Sequence, residues 1–269
     1  MYDVAALESA FSQSIFSGKF HYTAVTGSTN TDALAGAREG APHGSVFFTD
    51  EQTAGRGRGD HDWQSAAGKG LYVSVILRPD ISVEHMPLIP LAAGLAAAQA
   101  IGIITGRQVD LRWPNDLLIG ERKTGGILVE SKTESGAPSF AVVGIGINVH
   151  QRSFDPNLST PATSLDLESN RTTNRQALLI SLLESLQHET WALQDSGLRA
   201  AIVPRVAFLS TWVSNRSVEV HGPQACTGVT CGLDEHGFLL VRTDQGIVTV
   251  QTGGIRAAAD KKEGNAPRS

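Results

Sequence analysis

A glycine-rich segment, Thr53-Ala54-Gly55-Arg56-Gly57-Arg58-Gly59-Asp60-His61-Asp62-Trp63, carries the clearest chemical signal in the sequence. Glycine lets the backbone turn freely and approach a ligand closely. Each of the two arginines, Arg56 and Arg58, presents a planar fork of donors that matches a carboxylate or a phosphate. The segment therefore predicts a flexible loop that orders around an anionic ligand and excludes water from it. A surface loop with solvated arginines is the alternative, and composition alone favours neither.

A second candidate segment surrounds Pro114. This proline ends a predicted strand, so Asn115 and Asp116 lie at its exposed end, where ligands meet α/β sheets. Asp116 is suited to hold a metal-bound triphosphate or to accept a proton, and Asn115 is suited to orient a phosphate or a metal-bound water. Lys123, which precedes a Gly-Gly pair, is predicted to project into the same cleft. The alternatives are an Asx turn at Asn115 and Asp116 and a solvated hairpin tip at Lys123.

Two further segments combine small and polar residues. Gly27-Ser28-Thr29-Asn30 precedes a predicted helix, so its side chains either cap that helix or bind a polar, uncharged ligand group. Gly144-Ile145-Gly146-Ile147-Asn148 lies in an apolar strand, where glycine indicates close approach to a neighbouring strand or to an apolar ligand. Of the eight histidines, only His61 lies inside a candidate segment.

Hydrophobic periodicity predicts the elements that position these segments. The predicted helices are Val4 to Phe16, a helix that follows Asn30 and ends near Glu39, Pro87 to Ile104, Asn174 to Leu193 and Leu198 to Phe208. The predicted strands are Phe20 to Thr26, Ser45 to Thr49, Leu71 to Leu77, Val109 to Trp113, Leu117 to Ile119, Gly126 to Glu130 and Ala141 to Asn148. Short alternating runs from Ser217 to Val250, separated by turns, predict a small all-β module.

The composition is that of a folded, acidic protein. Of the 269 residues, 41% are apolar, which supports a sizeable core and excludes disorder for the bulk of the chain. The 22 basic and 27 acidic residues give a net charge of −5, so the basic excess of a dedicated nucleic-acid binder is missing. A few well-placed cations still suffice to bind an anion locally.

Cysteine content and the first residues bear on location. The two cysteines, Cys226 and Cys231, favour a reducing cytoplasm over a disulfide scaffold or a zinc site. The first four residues lack the features of a signal peptide. Leu88 to Ile104 is short and rich in Ala and Gly, so we expect a buried helix and no membrane span. The helix predicted at Val4 to Phe16 is too short for a helix-turn-helix domain, so we expect no DNA binding.

Taken in order, the candidate segments resemble the catalytic region of biotin protein ligases. Each motif alone is unspecific, but the combination is specific to this family. The matching motifs are Gly27-Ser28-Thr29-Asn30, Glu51-Gln52-Thr53-Ala54-Gly55-Arg56-Gly57-Arg58 with Trp63, Trp113-Pro114-Asn115-Asp116, Arg122-Lys123 before Gly126-Ile127-Leu128-Val129-Glu130, and Gly144-Ile145-Gly146-Ile147-Asn148. The resemblance is to the monofunctional type, which lacks the amino-terminal DNA-binding domain of the family's repressors.

The resemblance implies an α+β fold of the class II synthetase-like, biotin–lipoate ligase type, in which helices flank a mixed sheet. We expect a catalytic domain over residues 1–211, an SH3-like β-barrel over residues 212–257 and a disordered tail over residues 258–269. In the family the β module lies beside the active site, so Arg256 is placed to reach ATP. The oligomeric state stays open, with a homodimer among the possibilities.

A two-step reaction follows from the resemblance. The biotin carboxylate attacks the α-phosphate of ATP, giving biotinyl-5′-AMP and pyrophosphate, and a lysine of the biotin carboxyl carrier protein then attacks the mixed anhydride. Mg²⁺ is expected on the phosphates, without a resident metal site. The implied catalytic residues are Lys123, Arg56, Arg58 and Asp116. The implied biotin-binding residues are Ser28, Thr29, Asn30, Gln52, Arg56, Gly57, Arg58 and Lys123, and the ATP-binding residues are Arg58, Trp63, Asn115, Asp116 and Lys123.

The sequence departs from the family pattern after the Gly-Arg-Gly-Arg core. Family loops often carry a further arginine there, whereas Gly59-Asp60-His61-Asp62 precedes Trp63 in this chain. Two acids where a cation is common should make the closed loop less tight. We therefore expect weaker retention of the adenylate than in relatives with more arginines.

Two alternatives to biotin ligation remain at this point. Lipoate or octanoate ligases and transferases share the catalytic fold, although the double-arginine loop together with Trp113-Pro114-Asn115-Asp116 favours biotin. A degenerate module that binds biotin or a carrier protein without activity is the other. The intact Arg56, Arg58 and Lys123 argue against it.

Overall fold

The computed structural model describes residues 2–59, 61–134 and 137–258, and its centre is a seven-stranded mixed sheet. Its strands are β1 (Phe20–Thr26), β2 (Val46–Gln52), β3 (Gly70–Leu77), β4 (Asp110–Arg112), β5 (Asp116–Ile119), β6 (Arg122–Glu134) and β7 (Ala137–Asn148). They follow the order β1-β2-β3-β7-β6-β5-β4. β1 and β2 are parallel and the other neighbours are antiparallel.

Helices cover both faces of this sheet. They are α1 (Val4–Ala10), α2 (Thr29–Arg38), α3 (Leu88–Thr105), α4 (Leu165–Ser169), α5 (Arg175–Gln194), α6 (Ser196–Arg199) and α7 (Ile202–Leu209), with a 3₁₀ turn at Val83–His85. α3 and α5 pack together against one face and form the main core. α2 covers part of the other face, where Ala33 and Ala37 join a small cluster with Ile76, Phe140 and Val142.

Alternation along the central strands decides which residues face the site. On β7, Ile145 and Ile147 belong to the main core, so the intervening Gly144 and Gly146 face the opposite side. The register places Gly144 between Ser74 of β3 and Leu128 of β6. These neighbouring positions form one polar and glycine-lined face, which we call the site face.

A second sheet follows in the carboxy-terminal part. Its strands are β8 (Ser214–His221), β9 (Cys226–Leu233), β10 (Leu239–Thr243), β11 (Gly246–Val250) and β12 (Gly254–Ala257), antiparallel in the order β11-β10-β9-β8-β12. Five antiparallel strands are consistent with a small SH3-like barrel. The predicted fold class is thereby confirmed, whereas the predicted domain limits stay a prediction and most of the predicted tail lies outside the described residues.

Polar and cation–aromatic contacts join the two sheets. The indole N–H of Trp113 donates to the Gly237 carbonyl at 3.0 Å. The buried Trp212 ring contacts two guanidinium groups, with Arg216 at 3.8 Å and Arg112 at 5.2 Å from the ring centroid. Arg112 belongs to the large sheet and Arg216 to the small one, so these contacts link the two sheets.

Two helix predictions were wrong in extent. The first helix ends at Ala10 rather than Phe16, because the Ser14 hydroxyl bonds the Phe11 carbonyl and the Phe16 amide and so competes with helical pairing. The predicted helix from Leu198 to Phe208 is two helices, α6 and α7. Pro204 lacks the N–H that would reach back to Ala200, which fits the break between them.

The long apolar helix α3 is a core helix. Its 18 residues have a mean hydropathy of 1.9, so length and composition alone would let it cross a membrane. In the fold 67% of it is buried, and it packs against α5, α7 and β6. The prediction of a buried helix at this position is confirmed.

Candidate active site

A cavity of about 840 Å³ opens where the site face, the glycine-rich loop and the carboxy-terminal sheet meet. Every residue predicted to bind biotin or ATP lines this cavity. His61 and Arg256 line it as well. The structure thus brings together side chains that are widely separated along the chain.

One end of the cavity holds a chain of neutral hydrogen-bonding groups. The Thr29 amide and hydroxyl donate to Gln52 Oε1 at 2.9 and 3.1 Å, and Gln52 Nε2 donates to Ser65 Oγ at 2.7 Å. Ser74 Oγ lies 2.8 Å from Thr29 Oγ1 and 2.6 Å from Asn30 Oδ1. Hydroxyl and amide groups without net charge suit a polar, uncharged ligand group.

Ser28 begins α2 in the N-cap position but makes no side-chain capping bond. Its side chain is buried and lines the cavity. An N-cap serine normally accepts a bond from an amide of the first turn. The geometry therefore favours the ligand-binding reading of this segment over the capping reading.

The glycine-rich loop folds back on itself over the cavity. The Gly57 amide donates to the His61 carbonyl at 2.7 Å, and the Trp63 amide donates to the Gly55 carbonyl at 2.9 Å. A Cβ atom at Gly55 would lie 2.4 Å from the Trp63 carbonyl oxygen, so this close return requires glycine.

The two loop arginines are anchored to different parts of the fold. Arg56 donates two hydrogen bonds to Glu130 on β6, at 3.1 and 2.7 Å. Arg58 donates to the Gly253 carbonyl, next to β12, at 2.7 Å. Burial lowers the pKa of Arg58, since desolvation disfavours its charged form, and Asp116 opposes this effect. An anionic ligand would relieve the same desolvation cost.

Trp63 lies flat against the glycines of the site face. A Cβ atom at Gly146 would lie 2.6 Å from the indole nitrogen, and one at Gly126 would lie 3.6 Å from the ring. The Lys123 ammonium lies 5.6 Å from the ring centroid, within range of a cation–π contact. Within the described part of the chain, the buried indole N–H has no hydrogen-bond partner.

An acid with two cations also lines the cavity, close to Trp63. Asp116 lies 2.5 Å from Lys123 Nζ and 2.5 Å from Arg112 Nη2. Arg112 also donates to the Thr160 hydroxyl at 2.9 Å. Burial alone would raise the pKa of the Asp116 carboxyl, but Lys123 and Arg112 outweigh burial and hold this pKa below its ordinary value. The group therefore stays ionised and keeps both cations in place.

Asn115 has a structural bond within the site. Its Nδ2 donates to the Ile127 carbonyl at 2.8 Å, and the Ile127 amide donates back to the Asn115 carbonyl at 3.0 Å. These bonds tie the start of β5 to β6. One of the two N–H groups of the Asn115 side chain is thus engaged, and the role predicted for Asn115 toward a phosphate or a metal-bound water stays a prediction.

The structure adds three site groups to those predicted. Ser74 is the one serine or threonine in the apolar strand β3. A lone hydroxyl residue in such a strand could have indicated a polar site from the sequence. Glu130 lies two residues beyond Leu128 on a strand, so alternation already placed both on one face. His221 at the end of β8 lines the cavity with a buried Nε2 that has no partner among the described residues, and its sequence context gives no hint of this.

Comparison with known proteins identifies the family. The profile described as the Biotin/lipoate A/B protein ligase family matches residues 22–148. A Mycobacterium tuberculosis protein named biotin–[acetyl-CoA-carboxylase] ligase is 33% identical, over 86% of this chain and 86% of its own length. The chain belongs to the biotin protein ligase family. A Bacillus spizizenii relative, named bifunctional ligase/repressor BirA, is 34% identical over 87% of this chain and 72% of its own length.

The fold of this biotin protein ligase matches solved relatives. A biotin protein ligase from Aquifex aeolicus, determined in complex with biotin and ATP, has a TM-score of 0.76 at 27% identity, covering 89% of this chain and 98% of that one. The resemblance to biotin protein ligases, the predicted fold class and the predicted ligase activity class are thus confirmed. Because relatives include a ligase/repressor as well as a ligase, the monofunctional type stays a prediction.

Proposed function

We propose that this ligase activates biotin with ATP as biotinyl-5′-AMP and transfers it to a lysine of a biotin carboxyl carrier protein. One observation carries the proposal. The neutral groups of Thr29, Asn30 and Gln52 and the cations Arg58 and Lys123 line a single cavity. A ligand with an uncharged polar head and a carboxylate tail matches that distribution.

In the first step, a carboxylate oxygen of biotin attacks the α-phosphorus of ATP. A new P–O bond forms, and pyrophosphate leaves with the electron pair of the broken bond. Two anions must approach each other, so Lys123 and Arg58 lower the barrier by neutralising charge on the carboxylate and the α-phosphate. The loop covers the reacting groups and excludes water, which would otherwise hydrolyse the anhydride. Trp63 packs beside this centre and contributes a flat surface for the adenine.

In the second step, the acceptor lysine must arrive as a neutral amine and attack the acyl carbon of the anhydride. AMP departs, and the amine loses a proton as the amide forms. Asp116 keeps Lys123 in place while negative charge returns to the phosphate of AMP. Arg256, on β12, faces the same cavity and adds a cation on the nucleotide side.

Mg²⁺ fits this site as a companion of ATP. Within residues 2–59, 61–134 and 137–258, no group of three His, Cys, Asp or Glu residues could hold a metal ion. Mg²⁺ typically keeps several waters and binds through substrate phosphates and one or two carboxylates. Asp116 and Asp62 are carboxylates that line the cavity, and the ion would supply further neutralisation of the triphosphate.

ATP–pyrophosphate exchange tests the proposal directly. Biotin, lipoate and octanoate are compared side by side at matched concentrations. We expect exchange with biotin and at most a trace with the two fatty acids. Exchange driven by lipoate or octanoate would assign the protein to the other branch of the family, and no exchange with any of the three would favour a binding module. Transfer of labelled biotin to a carrier domain then tests the second step.

A further inference from the structure

A continuous polar chain runs beneath the glycine-rich loop. It begins at Arg56, at the start of the loop, and passes through Glu130 and Asn30 to Ser74. From Ser74 it continues to the Thr29 hydroxyl, and the Thr29 backbone N–H then donates to Gln52, whose side-chain amide donates to Ser65, just beyond the loop. Both ends of the loop are therefore connected through the floor of the proposed biotin pocket.

Glu130 is the second group of this chain and its one carboxylate. Its Oε2 accepts from Arg56 Nη2 at 2.7 Å and from Asn30 Nδ2 at 2.9 Å, while its Oε1 accepts from Arg56 Nη1 at 3.1 Å. A carboxylate only accepts hydrogen bonds, so the amide nitrogen of Asn30 must face it. The Asn30 oxygen is then directed to Ser74, 2.6 Å away.

The backbone leaves no freedom for Asn30 to find another arrangement. A Cβ atom at Gly144 would lie 2.0 Å from Asn30 Oδ1, so the amide is pressed against the bare main chain of β7. Asn30 is 4% exposed. Its nitrogen faces two acceptors, Glu130 Oε2 at 2.9 Å and the Leu128 carbonyl at 3.4 Å, and Glu130 is the nearer of the two and the charged one.

We propose that Glu130 is a positioning residue for the biotin pocket, acting at the same time on Asn30 and on Arg56. Its carboxylate fixes the direction of the Asn30 amide and holds the start of the loop across the cavity. The inference rests on the proposed function, because it assigns Asn30 to the neutral head of biotin. Glu130 itself is not expected to touch the reacting atoms.

Glu130→Gln tests the proposal with little change in shape. The substituted amide can accept from one donor but presents an N–H₂ group to the other, so one contact is lost. We expect the KM for biotin in pyrophosphate exchange to rise about tenfold with kcat changed less than about twofold, as for the loss of a bond to a charged group. Without ligands, trypsin cleavage after Arg56 should rise about fivefold, because cleavage follows the population of the open loop.

Two further variants support this test. Glu84→Gln removes an exposed carboxylate on the 3₁₀ turn and should change neither readout. Arg56→Gln breaks the same Arg56–Glu130 contact from the loop side. The rate of trypsin cleavage after Arg58 should then rise about fivefold as well. This variant keeps the loop anchor testable if Glu130→Gln does not fold. Thermal unfolding checks that each variant is folded.

The outcomes separate the two proposals. Unchanged cleavage in Glu130→Gln and Arg56→Gln, or a fall in kcat at unchanged KM in Glu130→Gln, overturns the assignment of Glu130. Faster cleavage with a raised KM supports it. Faster cleavage in a protein that shows no exchange with biotin keeps the loop anchor but overturns both the proposed function and the role assigned toward biotin.

Discussion

Lys123 Nζ lies 2.5 Å from the Asp116 carboxylate inside the cavity that Arg58 also lines. The amine proposed to meet the biotin carboxylate is therefore already held by an acid. Because Arg112 and Arg58 add two more positive charges near this acid, the wall keeps a positive excess. Asp116 therefore holds Lys123 in position, while the excess positive charge of Lys123, Arg112 and Arg58 remains available to an anionic ligand.

Lys123→Ala should lose most adenylate formation while it still binds biotin. The neutral contacts at Thr29, Asn30 and Gln52 remain, but the charge that stabilises the transition state is removed. We expect the rate of pyrophosphate exchange to fall about 100-fold, as for the loss of one preorganised donor. Calorimetry checks biotin affinity, and Lys69→Ala, an exposed lysine outside the cavity lining, is the control. An unchanged exchange rate would show that Lys123 is wrongly assigned.

The pH dependence of stability should report on Asp116. Its pKa is lowered in the folded protein, so its ion pairs stabilise the fold fully above the unfolded value near 3.9, and this contribution is lost as pH falls through the lower folded value. The difference in free energy of unfolding between the native sequence and Asp116→Asn should therefore shrink below about pH 5. Urea unfolding from pH 7 down to about pH 2, through both pKa values, measures it. A difference that grows on acidification would contradict the assigned direction.

Methyl groups on the site face should damage substrate binding. A Cβ at Gly144 meets the Asn30 amide and one at Gly146 meets the Trp63 indole, each inside van der Waals contact. Overpacking of this kind costs about 1–3 kcal/mol, so we expect the biotin KM of Gly144→Ala to rise by about fivefold or more. Gly102→Ala, where the nearest atom is 3.8 Å away, is the control. Equal KM values for the two variants would refute the packing argument.

Adenylate retention should be weak because of the acids that follow the loop arginines. His61 and Asp62 line the cavity, whereas Asp60 lies outside the described residues. Asp62→Arg replaces repulsion of the phosphate by attraction and should slow release of biotinyl-5′-AMP severalfold. Release is followed after rapid dilution, with the exposed Asp80→Arg as a charge-matched control. Slow release from the unaltered protein would refute the prediction.

Docking of the carboxy-terminal sheet should depend on Gly237. Its φ is +83°, and a Cβ there would lie 2.5 Å from Leu91 of α3, so alanine is both strained and crowded. Gly237→Ala should lower Tm by more than Gly106→Ala, which has a similar positive φ of +70° but no atom within 4 Å of the added Cβ. Calorimetry compares the two. An equal fall in Tm would mean that backbone strain, and not close packing against Leu91, accounts for the effect.

Local patterns predicted some strands closely, since β1 spans the expected Phe20–Thr26 and β3 extends the expected Leu71–Leu77 by one residue, whereas β6 and β7 each begin four residues before the predicted start. Alternation is a strong constraint when one face is buried. Helix ends were less predictable, because Ser14 and Pro204 act through single hydrogen bonds that periodicity does not report. The short helix α4 fell beyond the predicted polar loop and was missed.

The motifs predicted which residues share the cavity but not how they pair. Arg56 was expected on a ligand, yet it meets Glu130, a residue 74 positions away. Trp212 was expected only as the first residue of the β module, yet its ring lies near the guanidinium groups of both Arg112 and Arg216. Such pairs depend on strand register and on sheet-to-sheet docking. Neither has a periodic signature in one sequence.

Along β7 the inner wall of the cavity is bare main chain at Gly144 and Gly146. The width of the cavity at this point is set by the main chain of hydrogen-bonded strands, and no side-chain substitution can widen it there. An enlarged biotin analogue would therefore have to be admitted elsewhere, at Leu128 or through the loop. Redesign of substrate choice in this protein begins with the movable side of the cavity.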